Sequence, residues 1–461
     1  MPLSKKKLFA FGFSAIGINM MKLIIGTYLC NAVLTAGFET NAANWTYFNK
    51  DVVSTSVWAI IILVVKIINS VSDFPFTAFL DNLKVKIGKR RFGVLLGFGP
   101  LVLAFIMFLM PPSNDNLLLN TIWLGLFLIL FYFAYSCVML SYYASFSEVT
   151  KDDGDRRFLA NIKSVADVVY YVLGFALIPV LVDFINIRII ALIFLPLSLL
   201  IIAGIFLVKD NPEQTVSDTR EKSQGFIKSI VHTCKNKEYI RWMIVFAFMT
   251  FSIQLFLTGQ SIFLDGTGGF SGGQIAIVNA CAFGPVPVTM MLYNFIGKKK
   301  GFRFGFVYAM LTFAFAMGVC ALANKNIIAS SDIRFYIGML SGLLCSLGIG
   351  AFFSVAYVVP SHLAAKEREE TGYSKPSMYF AIQGLFGASV TGLATGPVLI
   401  GIRHFGLTHL MTVIVGISLI LCCILTVILP KSVAMIGKEN KEKARIPKKP
   451  ENPDKNIAGE E

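Results

Sequence analysis

The sequence predicts an all-α membrane protein with twelve transmembrane helices in two pseudo-symmetric six-helix halves. Composition is the first observation: of 461 residues, 55% are hydrophobic and only 15% are charged, whereas about a quarter of the residues of a soluble domain are charged. The mean hydropathy is +0.69. The other two observations are the length of the apolar runs and the recurrence of charged loops.

Twelve apolar runs approach or exceed the roughly 20 residues that a membrane helix needs. Six precede a charged segment and six follow it, at residues 8–35, 56–80, 92–110, 120–145, 159–182, 188–208, 240–264, 274–297, 303–323, 333–363, 376–402 and 406–430. We therefore expect an N-terminal bundle (1–208), a linker (209–239), a C-terminal bundle (240–430) and a tail (431–461). The tail is polar and rich in Lys and Pro, which predicts disorder.

The distribution of the 41 Lys and Arg residues predicts the orientation. They cluster before the first run, in the linker, in the tail and after the even-numbered runs. The loops on the other side contain only Lys50, Arg188, Lys325, Arg334 and Arg403. Because cytoplasmic loops are enriched in Lys and Arg, we expect a multi-pass protein of the cell membrane with both termini and the linker in the cytoplasm. The loops that give the chain its net charge of +14 then face the anionic lipids of the cytoplasmic leaflet. No nucleic acid partner is expected.

The charged loops recur at equivalent places in the two halves. Residues 84–91 follow the second run and residues 298–303 follow the eighth; residues 148–157 follow the fourth and residues 366–375 follow the tenth. Two related six-helix halves are the layout of a carrier whose site lies between them near mid-membrane. The sequence thus predicts a small-molecule transporter that works as a monomer.

Ionisable residues inside the apolar runs are candidates for the site, since each costs about 2.5–3.5 kcal/mol on insertion scales. Lys66, Asn69 and Asp73 are spaced by three and four residues and share one helix stripe. Pro75 removes a backbone donor close to Asp73, so this carboxylate is predicted to bind a proton or Na⁺. A structural ion pair between Asp73 and Lys66 or Lys22 is the alternative.

Candidates for substrate binding lie on the first, second and fifth runs. Lys22 follows Asn19 by three residues; it and Lys66 either face a cavity or extend towards the interface. Lys163 and Asp167 are spaced i, i+4, which suits a local ion pair or, for Lys163, contact with an anionic or hydroxyl-rich substrate. Weaker candidates with hydrogen-bonding side chains are Tyr142, Gln254 and Gln383.

Two charged segments are predicted to latch the halves on the cytoplasmic side. The predicted gating residues are Asp81, Gly88, Lys89, Arg90 and Arg91 after the second run, with Glu148 and Arg156 after the fourth.

No pattern points to a metal, a cofactor or an enzyme. The eight Cys residues have no C-x-x-C spacing and nearly all lie within apolar runs, and the four His residues do not cluster with Cys or carboxylates at ligand spacing. The H-E-x-x-H and G-x-S-x-G motifs are missing from the sequence, so a membrane-embedded enzyme is not expected.

Three segments resemble the glycoside–pentoside–hexuronide:cation symporters, the melibiose-carrier branch of the major facilitator superfamily. They are Lys66–Arg91, Glu148–Lys163 and residues 360–383. The resemblance implies the major facilitator fold and alternating access. It also implies symport of a sugar or glycoside with H⁺ or Na⁺, the cation being held at the positions of Asp73 and Asn69.

The departures from that family concern its acidic residues. Asn69 and Asn19 stand where acids are usual, a sugar-binding acid falls at about Met139, Lys163 matches a sugar-binding Arg, and Ala388 replaces a frequent Lys. Fewer acids leave a more positive cavity, which predicts an anionic substrate such as a hexuronide. A carrier of lysolipids or other amphiphiles with the same fold, and an uncoupled facilitator, are the alternatives.

Overall fold

The computed structural model describes residues 3–82, 85, 87–150, 153–208, 233–371 and 376–436. Within them, twelve helices are long and apolar enough to cross a membrane, which confirms the predicted fold class. The spans are α1 Lys5–Ala32, α2 Thr55–Asp73, α3 Lys89–Phe108, α4 Leu117–Ala144, α5 Val165–Val182, α6 Ile187–Phe206, α7 Lys237–Thr267, α8 Gly272–Lys300, α9 Phe302–Leu322, α10 Ser331–Pro360, α11 Tyr379–His404 and α12 Leu410–Ile428.

Several helices extend beyond their spans on the face that carries the chain ends, here called the terminal face. The helix of α2 continues to Asn82 and that of α10 to Thr371, while those of α5 and α11 begin at Asp153 and Pro376. The face at the other ends of the helices is called the opposite face. These extensions carry charged residues. A helix can continue past its apolar run because its charged end lies in the headgroup region, where the charge is not buried.

The predicted linker and tail fall largely outside the described residues, which leave out 209–232 and 437–461. α7 begins at Lys237, three residues before the predicted start of the C-terminal bundle, because the Asn236 side chain accepts hydrogen bonds from the first backbone N–H groups of the helix. At the start of the predicted tail, Lys431–Ala434 form a helical turn and Val433 is buried.

The two halves repeat structural details as well as charge. Gly88 and Gly301 precede α3 and α9 with φ values of 95° and 91°, a backbone conformation that glycine adopts without strain. In the first helix of each half, a π-helical turn interrupts α1 at Ile24–Leu29 and ends α7 at Phe263–Thr267. In the fifth helix of each half, a π-helical turn interrupts α5 at Leu173–Leu177 and α11 at Ala394–Val398. Such turns are rare in proteins overall, and those that occur often lie at functional sites.

The halves meet along two pairs of helices. α2 packs against α11, and α5 packs against α8. At the first contact, a Cβ atom on Gly396 would lie 2.5 Å from the Ala59 carbonyl oxygen, so only glycine permits this approach. At the second, the Asn279 side chain donates a hydrogen bond of 2.7 Å to the Phe175 carbonyl oxygen in the π turn of α5.

Candidate functional site

A polar stripe on α4 organises the candidate site. Tyr132, Tyr135 and Ser136 are spaced i, i+3 and i+4, and therefore share one face of the helix. Each of them contacts a residue of α1 or α2 that the sequence marks as a candidate. We call these three residues the α4 stripe.

Ser136 joins the two residues predicted to bind the cation. Its hydroxyl group donates a hydrogen bond of 3.1 Å to the Asn69 side-chain oxygen, and it also hydrogen-bonds the Asp73 carboxyl group. Ser136 is 4% exposed, while Asn69 and Asp73 are half-buried. A carboxylate, a hydroxyl and an amide oxygen thus meet in one place, and oxygen groups are what a proton or a hard cation requires.

Tyr132 holds Lys66. The Lys66 ammonium nitrogen lies 2.5 Å from the Tyr132 hydroxyl oxygen and 4.3 Å from the centroid of the same ring. Gly26, in the π turn of α1, makes room for this pair: a Cβ atom there would lie 2.9 Å from the Tyr132 hydroxyl and 3.8 Å from the Lys66 nitrogen. Lys66 is therefore enclosed between α1, α2 and α4 instead of extending to the membrane surface.

Tyr135 holds the second lysine. The Lys22 ammonium lies 4.4 Å from the centroid of the Tyr135 ring, whose hydroxyl donates to the Asn19 side-chain oxygen at 3.0 Å. Among the described residues, the Lys22 ammonium has neither a hydrogen-bond acceptor nor an ion-pair partner, and it lies within electrostatic range of Lys66 and Asp73. A cation–π contact contributes about 0.5–2 kcal/mol, which leaves this charge in need of an anion.

A second ionic group lies on the helix of α5, where the membrane span begins. Lys163 and Asp167 form the i, i+4 ion pair that the sequence allows. Lys163 is 8% exposed, and its ammonium lies 5.9 Å from the centroid of the Tyr143 ring. Asp167 is within electrostatic range of Lys22, so this pair extends the polar region from α1 to α5.

The three weaker candidates lie apart from the α4 stripe. Tyr142 is fully buried, and its hydroxyl donates to the carbonyl oxygens of Phe11 and Gly12 at 2.9 and 3.2 Å, which holds α1 against α4. Gln383 accepts from the Trp242 indole and donates to a carbonyl of α10. Gln254 is half-buried on α7, and its amide group makes no hydrogen bond to the described residues. Their predicted roles in substrate binding stay predictions.

The predicted gating segments are described in part. Gly88 precedes α3, Lys89 and Arg90 begin it, and Arg91 donates a hydrogen bond of 3.0 Å to the Phe206 carbonyl, which joins α3 to α6 within one half. Asp81 lies on the last turn of the helix of α2, Glu148 on the turn Phe146–Val149 and Arg156 on the first turn of the helix of α5. Their side chains are outside the described part of the chain.

Arg403 ties the two halves together at the opposite face. It is 1% exposed and lies at the end of α11. Its guanidinium donates to the carbonyl oxygens of Asn31, Leu34 and Ala36 at 3.1, 3.0 and 2.7 Å, and to the Asn31 side-chain oxygen at 2.8 Å. One residue of the C-terminal half thus binds the end of α1 and the loop after it.

Three further contacts cross between the halves at the same face. The Asp183 carboxylate accepts the backbone N–H groups of Gly272 and Gly273 at 3.0 Å each, at the N-terminus of α8, where a negative charge is favourable. Glu39 pairs with Lys325, and Thr40 hydrogen-bonds Asp265. These contacts and those of Arg403, together called the opposite-face clamp, close the opposite face.

The sequence singled out the ionisable residues that the structure brings together, Lys22, Lys66 and Asp73, but not the α4 stripe or the clamp. The spacing of Tyr132, Tyr135 and Ser136 inside an apolar run is a signal that could have identified the stripe. The clamp had no such signal, because its members look like ordinary loop charges.

Twelve membrane-spanning helices in two similar halves, with a polar network among α1, α2, α4 and α5 of the N-terminal half, are the architecture of a membrane transporter. The chain belongs to the MFS/sugar transport protein family, whose model matches residues 10–430. It is therefore a secondary transporter of the major facilitator superfamily and not an enzyme.

Solved transporters share the fold. The nucleoside transporter NupG has a TM-score of 0.64 at 13% identity, with 92% of this chain and 98% of that chain covered. The D-xylose-proton symporter has 0.63 at 14%, covering 93% and 98%. An inward-facing, unoccupied bacterial homologue of the lysosomal transporter Spinster has 0.59 at 13%, covering 93% and 97%. At these identities the likeness concerns the fold alone. No curated protein matches the chain at a significant level.

Proposed function

We propose that this chain is a cation-coupled symporter of an anionic sugar or glycoside, such as a hexuronide, in the melibiose-carrier branch of its superfamily. It works as a monomer in the cell membrane, with the terminal face in the cytoplasm. The observation that carries the proposal is the α4 stripe, which gathers one carboxyl group and two lysines of α1 and α2 into a single network.

Asp73, Asn69 and Ser136 form the proposed coupling site. The Ser136 hydroxyl has one proton, and both the Asn69 side-chain oxygen and the Asp73 carboxylate can accept it, so the two oxygen groups compete for one donor. A proton on the Asp73 carboxyl group, or a cation bound between these oxygen atoms, would relieve this competition. This supports coupling through Asp73 even though Asn69 replaces the usual second acid.

Lys22 and Lys66 form the proposed anion subsite. Both ammonium groups rest on tyrosine rings, and Lys22 has no acceptor among the described residues. Two positive charges share the α1–α2–α4 cluster with Asp73 alone, and like charges in a medium of low dielectric repel strongly. A carboxylate, sulfate or phosphate between them relieves this repulsion, which a neutral sugar does not do.

Aromatic residues of both halves supply apolar faces beside this cluster. Tyr171 of α5 lies 6.2 Å from Phe283 of α8 and 5.4 Å from Phe353 of α10, measured between ring centroids. Small-molecule sites combine such surfaces with a few polar groups that fix orientation. These contacting rings belong to both halves, so movement of one half against the other, which alternating access requires, would change the apolar surface offered to a sugar ring.

Asp73→Asn is expected to abolish concentrative uptake of a radiolabelled uronide into proteoliposomes, while exchange of the same substrate down its own gradient continues. The control is Asp115→Asn, which removes a carboxylate that pairs with Lys50 at the surface and should leave accumulation unchanged. Normal accumulation in Asp73→Asn would contradict the coupling site.

The same assays separate the two alternative functions. Wild-type exchange without accumulation under H⁺ and Na⁺ gradients would indicate a facilitator. Competition by lysolipid but not by uronide would indicate an amphiphile carrier.

A further inference from the structure

Asp265 is a buried carboxyl group without a countercharge. It lies in the π turn that ends α7 and has no exposed surface, and its Oδ2 atom has no hydrogen-bond partner in the described part of the chain. Its Oδ1 atom accepts from the Thr40 hydroxyl, and the backbone N–H groups of Glu39 and Thr40 also face the carboxyl group. Within the described residues, Asp265 forms no ion pair.

The surrounding charges are already engaged elsewhere. Lys325 pairs with Glu39, Arg334 donates to the carbonyl oxygens of Gly268, Ile328 and Ala329, and Arg403 donates to the end of α1 and the loop after it. The titratable and charged groups of the elements packed around the end of α7 include Glu39, Asp51, Asp183, Lys325, Arg334, Arg403 and, beside the Thr267–Thr408 contact, His409.

Bulk solvent does not contact the carboxyl group in this conformation. A Cβ atom on Gly266 would lie 2.6 Å from the Gly37 carbonyl oxygen, so the backbone of α7 touches the loop after α1 directly. Burial without a countercharge disfavours the charged form of this carboxyl group despite its hydrogen-bond donors, and gaining a proton removes this cost. The C-terminal end of a helix, which carries partial negative charge, adds to the preference for the neutral form.

We infer that Asp265 is a second proton-binding site, distinct from Asp73, that holds a proton while the opposite face is closed and releases it when that face opens. The proton enters and leaves on the same side of the membrane, so this site transports nothing by itself. It makes opening of the opposite face depend on the pH of the compartment which that face contacts. The inference requires that the halves open and close, as proposed above, but not any particular substrate.

The test measures the clamp directly, on purified full-length protein without substrate. Spin labels on Phe184→Cys and Ile327→Cys, which are 77% and 60% exposed at the opposite face of the two halves, report opening as a longer distance in double electron–electron resonance. Cys234 and Cys281 are replaced by Ser, and every protein, including the reference, carries Asp73→Asn so that the proposed coupling site does not titrate. From about pH 4 upwards we expect the open-to-closed ratio of the reference protein to rise with pH, by up to about tenfold per unit for one proton, and to level off once Asp265 is deprotonated in both states. The ratio in Asp265→Asn should stay constant near the closed value.

Two matched variants separate Asp265 from other titrating groups at this face. Asp183→Asn and His409→Asn should each retain the pH dependence, although Asp183→Asn raises the open fraction at every pH. Thr40→Ala removes the hydroxyl donor and should extend the pH-dependent range upwards. A pH-independent reference protein, an unchanged pH profile in Asp265→Asn or Thr40→Ala, or loss of the dependence in Asp183→Asn or His409→Asn would overturn the inference. So would an effect of Na⁺ at constant pH that Asp265→Asn removes, since it would make this a metal-ion site.

Discussion

Ser136 shows how much one hydroxyl group can decide in a membrane site. It contacts both Asn69 and Asp73 and is nearly inaccessible to solvent. Removing a buried partner leaves a polar group unsatisfied, which costs about 1–3 kcal/mol. The coupling site should therefore depend on this residue although it carries no charge.

Ser136→Ala is expected to weaken the apparent affinity for the coupling cation by about tenfold, because one of three oxygen groups is lost. The measurement is substrate uptake as a function of H⁺ or Na⁺ concentration. Ser141→Ala is the matched control, since Ser141 is buried on the same helix but bonds the Cys137 carbonyl of its own helix. Equal cation dependence in the two variants would count against a role for Ser136 in coupling.

Tyr132→Phe tests the lysine site. The phenylalanine ring keeps the cation–π contact with Lys66 and loses the hydroxyl hydrogen bond, so we expect substrate binding to weaken by about three- to tenfold. Tyr132→Leu, which also removes the ring, should weaken binding further. Binding by both variants is measured calorimetrically; wild-type affinity in Tyr132→Leu would show that Lys66 needs no support from α4.

At the residue scale, charge was easier to interpret than polarity. Asp73, Lys22 and Lys66 are conspicuous because a charge inside an apolar run needs a reason. In the sequence, Tyr142 and Gln383 are polar residues inside apolar runs, as Tyr132 and Tyr135 are. In the structure, however, Tyr142 and Gln383 make hydrogen bonds between helices within one half. Packing and binding use the same polar side chains, so only the three-dimensional arrangement separates them.

At the scale of single helices, the π turns place the site. The turn in α1 contains Gly26 beside Lys66, and the turn in α5 presents its carbonyl groups to Tyr28 and Asn279. The apolar runs do not indicate these turns, because a π turn depends on contacts with neighbouring helices and leaves no periodic pattern. The helices themselves were predictable, since each apolar run must satisfy its own backbone in lipid.

Gly26→Ala is expected to impair substrate binding by about tenfold or more, because the added methyl group would lie 2.9 Å from the Tyr132 hydroxyl. Gly99→Ala on α3 is the control, since nothing lies within 4 Å of its Cβ position. The double variant Gly26→Ala/Tyr132→Phe should recover part of the loss because the clashing hydroxyl is removed. Binding in Gly26→Ala equal to that in Gly99→Ala would exclude this contact as a constraint.

At the scale of the whole molecule, the opposite-face clamp sets which side is open. Its contacts join the halves, and its key residue, Arg403, bonds Asn31 from 372 positions further along the chain. Sequence reasoning predicted the two halves from their repeated loops. It could not predict contacts between them, because a loop arginine carries no information about its distant acceptors.

Arg403→Met should shift the protein towards opening at the opposite face by at least about tenfold, because the four hydrogen bonds to the other half are lost. The readout is the distance between spin labels at Phe184→Cys and Ile327→Cys. Arg334→Met is the control, because Arg334 is also buried at this face but bonds only its own half among the described residues. If both variants open equally, Arg403 has no specific part in closure.

The most direct test of the proposed site compares two ligands that differ in one charge. Calorimetry on the purified protein would measure the affinity of a β-glucuronide and of the matching β-glucoside, for the wild type and for the double variant Lys22→Met/Lys66→Met. We expect the wild type to prefer the uronide by at least about tenfold and the double variant to lose this preference. Equal affinity of the wild type for the two ligands, or an intact preference without the lysines, would contradict the assignment of an anion site to α1, α2 and α4.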